Sequence, residues 1–300
     1  MALLLLALLT ACQGGPLTGR DAPPQKPRIT IGSMNFAEQL VLAELYARAL
    51  EARGYRVDRV PSLGPRETAE PALESGRIDL YPEYLATLLT FLTGGADRGS
   101  SDPAATHQRL SDVLKARGAT AFGYAPAVNT NGFAVTAGTA QRYGLEKLSD
   151  LPPVAPQLIF GGPPECPVRP FCLPGLRQTY GITRIKDFRI LDTGGPRTIE
   201  ALVRGEVDVG LLFTTDPRIE RSGLQILADD RGLQLADNVV PVARDVVASK
   251  APADFRATLD AVSAQLTTSE LTLLNAQVDL EARDPRDVAS EWLDARGLLR

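Results

Sequence analysis

The chain has 300 residues, 44% of them hydrophobic and 23% charged, enough for two domains of ordinary size with a sizeable core. Its formal net charge of −4 removes the electrostatic case for nucleic acid as a partner. The single histidine, His107, lies in a polar stretch and reads as a solvated surface residue; one histidine with no cysteine beside it speaks against a zinc site or a histidine-based triad.

The apolar run from Ala2 to Leu9 is too short to span a bilayer as a helix and fits the hydrophobic region of an export signal, although no Lys or Arg precedes it. Leu9-Thr10-Ala11-Cys12 has the form of a bacterial lipobox, so residues 1–12 are expected to be a lipoprotein signal peptide with Cys12 as the lipidated residue; a plain secretory signal is the other reading. Residues 13–27, rich in Gly, Pro and polar side chains, read as a flexible tether.

Strand Arg28–Gly32, a turn through Ser33-Met34-Asn35, a helix from Phe36 to Arg53 stopped by Gly54, a strand over 55–61 and a helix from Glu67 to Gly76 give a βαβ rhythm. That rhythm argues for an α/β fold with a parallel sheet covered by helices. Ile78 to Tyr81 reads as a buried strand that Pro82 ends, with Pro82 in the first turn of a helix and Glu83 at its positive end. Tyr84 then falls at the strand-to-helix switch, where open α/β sheets place ligands; a core strand with a buried tyrosine is the plainer alternative. A loop over 94–106, a helix over 110–117 and a strand over 119–125 follow. The first crossing between lobes is expected over Asn129 to Val135, where small and polar residues suit a hinge.

The second half carries a partial copy of the first. Ala72-Leu73-Glu74-Ser75-Gly76-Arg77-Ile78-Asp79-Leu80 and Ala201-Leu202-Val203-Arg204-Gly205-Glu206-Val207-Asp208-Val209 share the pattern A-L-x-x-G-x-[IV]-D-[LV]. Each copy reads as a helix end, a glycine just past it, and a strand running to an aromatic, Tyr84 in one and Phe213 in the other. Two such lobes face to face would form a cleft. Asn238 to Arg244 reads as the return strand, and Ala251 to Arg300 as at least three helices, one capped at Thr267.

Ile31-Gly32-Ser33-Met34-Asn35-Phe36 with Glu38-Gln39, the Tyr81-Pro82-Glu83-Tyr84 segment and Phe213-Thr214-Thr215-Asp216 resemble the glycine betaine/choline/carnitine substrate-binding proteins of osmoprotectant ABC importers; Gly161 to Cys172 is similar to the OsmF/YehZ-type branch. The resemblance implies a two-lobed periplasmic-binding fold of type II, each lobe a mixed, mainly parallel sheet flanked by helices, with the ligand cleft between them. Residues 28–131 plus 238–300 would form the first lobe and 132–237 the second. It implies a small quaternary ammonium or zwitterionic solute, an ABC permease as partner, a lipid-anchored position outside the cytoplasm, and a monomer.

Carried over by residue, the resemblance places Tyr84, Phe133 and Phe213 at aromatic cage positions, the two phenylalanines standing where tyrosine is usual, with an ordinary core position as the alternative for each phenylalanine. Arg169 matches an arginine that pairs with a ligand carboxylate, a surface ion pair being the plainer alternative. Glu67 matches a polar position facing the ligand, Asn131 precedes the Gly-Phe pair, and Met34 replaces a common lysine. Asp237 falls where a further cage tyrosine is expected. A quaternary ammonium donates no ordinary hydrogen bond, so aromatic faces must hold it, at about 0.5–2 kcal/mol per contact. Cys166 and Cys172, with five residues between them in an exported chain, are expected to form a disulfide, with two free thiols or a weak metal site as the alternatives. No nucleophile–base pair, phosphate loop or metal cluster is visible, which points to a receptor rather than an enzyme. A different small cation or zwitterion as ligand, or a sensor or surface protein on the same fold, stays open.

Overall fold

The computed structural model describes residues 26–300; the expected signal peptide, Cys12 and the tether as far as Gln25 lie outside the described residues. In chain order the elements are β1 (Arg28–Gly32), α1 (Ala37–Ala52), β2 (Arg56–Val60), α2 (Arg66–Glu74), β3 (Leu80–Tyr84), α3 (Leu85–Leu92), α4 (Pro103–Lys115), β4 (Ala119–Ala121), β5 (Asn131–Thr136), α5 (Ala137–Tyr143), β6 (Ile159–Gly162), α6 (Leu173–Tyr180), β7 (Asp187–Ile190), α7 (Pro196–Val203), β8 (Val209–Phe213), α8 (Arg218–Arg221), β9 (Leu224–Ile226), β10 (Val239–Arg244), α9 (Asp245–Ala248), α10 (Asp254–Gln265), α11 (Thr268–Asp279) and α12 (Pro285–Ala295). They build two five-stranded sheets, β2-β1-β3-β10-β4 and β7-β6-β8-β5-β9, each with its own apolar core. In each sheet the βαβ units pair in parallel, and the strand entered from the other lobe, β10 or β5, pairs antiparallel.

The two copies of the repeated pattern fold alike. Helix α2 ends at Glu74 and α7 at Val203, and Gly76 and Gly205 follow at φ +77° and +69°, the left-handed turn that glycine adopts without strain. The strands that follow end on Tyr84 and on Phe213. The chain passes between the lobes twice, side by side: Val128 bridges Asn238 in antiparallel fashion, and the Asn129 N–H donates to the Asp237 carbonyl at 3.2 Å. Helices α10, α11 and α12 all pack on α1, so the C-terminal segment completes the first lobe.

Three local expectations are corrected. Pro82 does not start a helix: it lies inside β3 directly opposite Pro241 of β10, and α3 begins at Leu85. Antiparallel ladders contain pairs that exchange no hydrogen bond, and two residues without an N–H fit such a pair. Helix α4 starts at Pro103, seven residues early, because the Asp102 carboxylate caps it by accepting from Ala104 N and Ala105 N. His107 is half-buried rather than solvated: its Nε2 lies 2.8 Å from the Phe122 carbonyl and its ring packs on Tyr124. The end of the tether is also held, since Lys26 pairs with Asp254 and its Nζ sits 4.5 Å from the centre of the Tyr55 ring.

Candidate functional site

The cleft between the lobes is where the sheet ends converge. Tyr84 closes β3 and is the extended residue before α3; Phe213 closes β8. Phe36, the residue before α1, meets Phe213 across the cleft with ring centres 5.0 Å apart, tilted by 37°. This pair forms part of the walls of two adjoining chambers, of about 400 and about 490 Å³. The first chamber is lined by Met34, Tyr84, Asn131, Phe213, Glu67, Arg169 and Asp237, seven of the eight ligand-site residues expected from sequence.

The eighth is corrected: Phe133 is 2% exposed and belongs to the apolar core of the second lobe with Phe171 and Leu176, outside the chamber lining. Phe36, Phe91 and Phe171 supply aromatic surface that the sequence reading did not assign to the cleft. The signals were present but unspecific: Phe36 sits in the motif after β1, and Phe171 is followed at once by Cys172. The Cys166–Cys172 disulfide, with Cα atoms 5.2 Å apart, pins the short loop that carries Arg169 and Phe171 at the cleft edge.

The charges are arranged in pairs. Arg169 does not stand free for a ligand carboxylate. Its Nη2 lies 2.7 Å and its Nε 3.2 Å from the two oxygens of Glu67, a bond that crosses from the second lobe to the first, and Glu165 stands 3.7 Å away. Beneath the floor, Arg66 makes a two-pronged pair with Glu83 at 2.7 Å on each prong, with Glu83 fully buried. Arg66 also donates to Thr87 Oγ1 at 2.8 Å, and Thr87 donates from its N–H (2.9 Å) and hydroxyl (3.2 Å) to Asp237 Oδ1. Asp237, 5% exposed, has its Oδ2 uncommitted among the described residues. Behind Tyr84, its hydroxyl donates to the buried Glu38 at 2.6 Å.

Burial pushes the Asp237 carboxyl up to about 7, against the pull of the Thr87 N–H and the Arg66 charge. Burial also lifts Glu70, which accepts from the Tyr81 hydroxyl, to about 7. Both native values are raised, so the native state holds these protons more tightly than the unfolded chain. The associated stability is complete below the ordinary carboxylate range, near 4, and is lost as pH rises through about 7. The melting temperature is therefore expected to fall between pH 5 and 8. Asp237→Asn, which keeps an acceptor for Thr87, should remove its share of that fall, roughly 3 kcal/mol between pH 5 and 7 at about 1.4 kcal/mol per unit. Parallel melting curves of the two proteins across this range would contradict this assignment.

The profile of the substrate-binding domain of ABC-type glycine betaine transport systems matches residues 27–295. A glycine-betaine-binding protein of Pseudomonas aeruginosa is 31% identical over 307 residues, covering 99% of this chain and 96% of that protein. The glycine betaine-binding protein YehZ of Escherichia coli is 27% identical, covering 90% of each. A solved glycine betaine/carnitine/choline ABC transporter structure superposes with a TM-score of 0.71 over 91% of this chain and 100% of that one, at 24% identity, a likeness of fold. With two sheets, paired crossings and an aromatic cleft between them, the chain belongs to the family of extracytoplasmic substrate-binding domains of ABC-type glycine betaine transport systems, whose members serve transport rather than catalysis.

Proposed function

We propose that this protein is the receptor of an ABC importer for small quaternary ammonium solutes, held at the membrane by lipid on Cys12 and working as a monomer that closes on its ligand and docks on a permease. The observation that carries the ligand class is the pairing of charges in the first chamber. Tyr84, Phe36 and Phe213 offer aromatic faces, and Asp237 offers an uncommitted carboxylate oxygen, while Arg66 and Arg169 are each already neutralised by Glu83 and Glu67. Such a lining attracts a net cation and has no idle cation for a carboxylate. A choline-like ligand is thus favoured over glycine betaine, whose carboxylate must displace Glu67 from Arg169. Lipidation rests on Leu9-Thr10-Ala11-Cys12, and an unmodified Cys12 in the mass spectrum of the membrane-extracted protein would refute it.

Calorimetric titration with choline and with glycine betaine tests the ligand class. Heat is the signal of choice because the only tryptophan, Trp292, sits on α12 outside the cleft lining. Choline is expected to bind at least as tightly as betaine. Glu67→Gln, which frees Arg169, is expected to shift the ratio toward betaine by about tenfold, the scale of one charge-assisted hydrogen bond. Tight betaine binding insensitive to Glu67→Gln would show that Arg169 is not restrained by Glu67 in solution.

A further inference from the structure

Glu38 lies in the first turn of α1 and is 4% exposed. Its two oxygens accept four hydrogen bonds: from Tyr84 Oη at 2.6 Å, Asn129 Nδ2 at 2.7 Å, Thr215 Oγ1 at 2.5 Å and Asn275 Nδ2 at 2.7 Å. These donors come from the end of β3, the first crossing, the loop after β8 in the second lobe, and α11. Four donors match the four lone-pair positions of a carboxylate. No Lys or Arg among the described residues pairs with Glu38, and Arg218 in the adjoining chamber is held by Asp216 and Asp279. A buried charge without a counter-ion is costly, even when fully hydrogen-bonded. An apolar or neutral residue would pack the lobe with less expense, so the charge calls for a role.

Of the four donors, only Tyr84 and Asn129 also line the first chamber, and only Tyr84 turns an aromatic ring toward it. Glu38 itself does not line that chamber. Burial first, and the Glu38 charge with it, hold the Tyr84 phenol well above its ordinary pKa, so it remains the donor. A phenol donating to a carboxylate carries more electron density in its ring, and the negative charge lies just beyond the hydroxyl edge of that ring in a medium of low dielectric.

We propose that Glu38 is a positioning residue for cation selection: acting through the Tyr84 hydroxyl, it makes the cleft prefer a cation to a neutral molecule of the same shape. This rests on the quaternary ammonium reading above. The test titrates the full-length chain with choline and with 3,3-dimethylbutan-1-ol, its uncharged carbon isostere. The choline-to-alcohol affinity ratio is expected to fall about tenfold in Glu38→Gln, with alcohol binding little changed. Tyr84→Phe, which keeps the ring and removes the link, should lower the ratio several-fold, and Glu38→Gln added to it should lower the ratio less than it does alone. A purely structural role weakens both ligands by the same factor and leaves the ratio unmoved, and that result overturns the proposal. If Glu38→Gln does not fold, Tyr84→Phe alone decides by the same ratio. If the unsubstituted protein binds choline no better than the alcohol, the proposal falls; if it binds choline well and both variants keep the ratio, the proposal falls while the ligand class stands.

Discussion

Arg66→Ala is expected to destabilise the fold by about 3–5 kcal/mol, the range for leaving one partner of a buried ion pair uncompensated. Glu83 is fully buried on β3, and Arg66 supplies two of its hydrogen bonds. Burial works against the Arg66 charge, and Glu83, then Asp237, more than offset it and hold the guanidinium protonated. Without Arg66 the Glu83 carboxylate is stranded under the first sheet, and Thr87, the donor to Asp237, loses the guanidinium that donates to its hydroxyl. Replacing both charges at once with apolar residues of similar size should cost much less, because no lone charge remains. Denaturant unfolding of the single and double variants checks this. A loss below about 1 kcal/mol in Arg66→Ala would place the pair among screened surface bridges instead.

Tyr84→Ala is expected to have the largest effect on binding. It deletes a cation–π face worth about 0.5–2 kcal/mol and strips one of four donors from Glu38, whose net effect on a charged acceptor is about 1.5–3 kcal/mol. Choline affinity should fall by at least tenfold. Tyr84 is also 6% exposed within the first-lobe core, so truncation should lower stability by about 3 kcal/mol, the scale of aromatic-to-alanine changes in cores. Calorimetry and thermal unfolding separate the two effects. Unchanged affinity in a folded Tyr84→Ala protein would remove Tyr84 from the site.

Much of this was legible in the sequence because the fold repeats a local device. The glycine after α2 and after α7 and the apolar strand beyond each can be read from a short window, and both windows end on the aromatic that reaches the cleft. Pro82 was misread because its compatibility with a strand depends on Pro241, 159 positions later, which local propensity does not reveal. Phe133 was misplaced for a related reason. It lies on the same face of β5 as Asn131, but two residues farther from the crossing, within the second-lobe core. The Glu67–Arg169 pair joins residues 102 apart on different lobes, so an ion pair at Arg169 stood only as an alternative and its partner could not be named. Glu38 was visible only as part of a motif; its four donors converge from sequence separations of 46 to 237.

The most direct measurement is a calorimetric titration of the purified protein with choline at pH 7.5. Micromolar binding with a negative heat-capacity change, as closure buries apolar surface, is the expected result. A cooperatively folded sample that gives no saturable heat up to millimolar choline would contradict the assignment of this cleft to quaternary ammonium solutes.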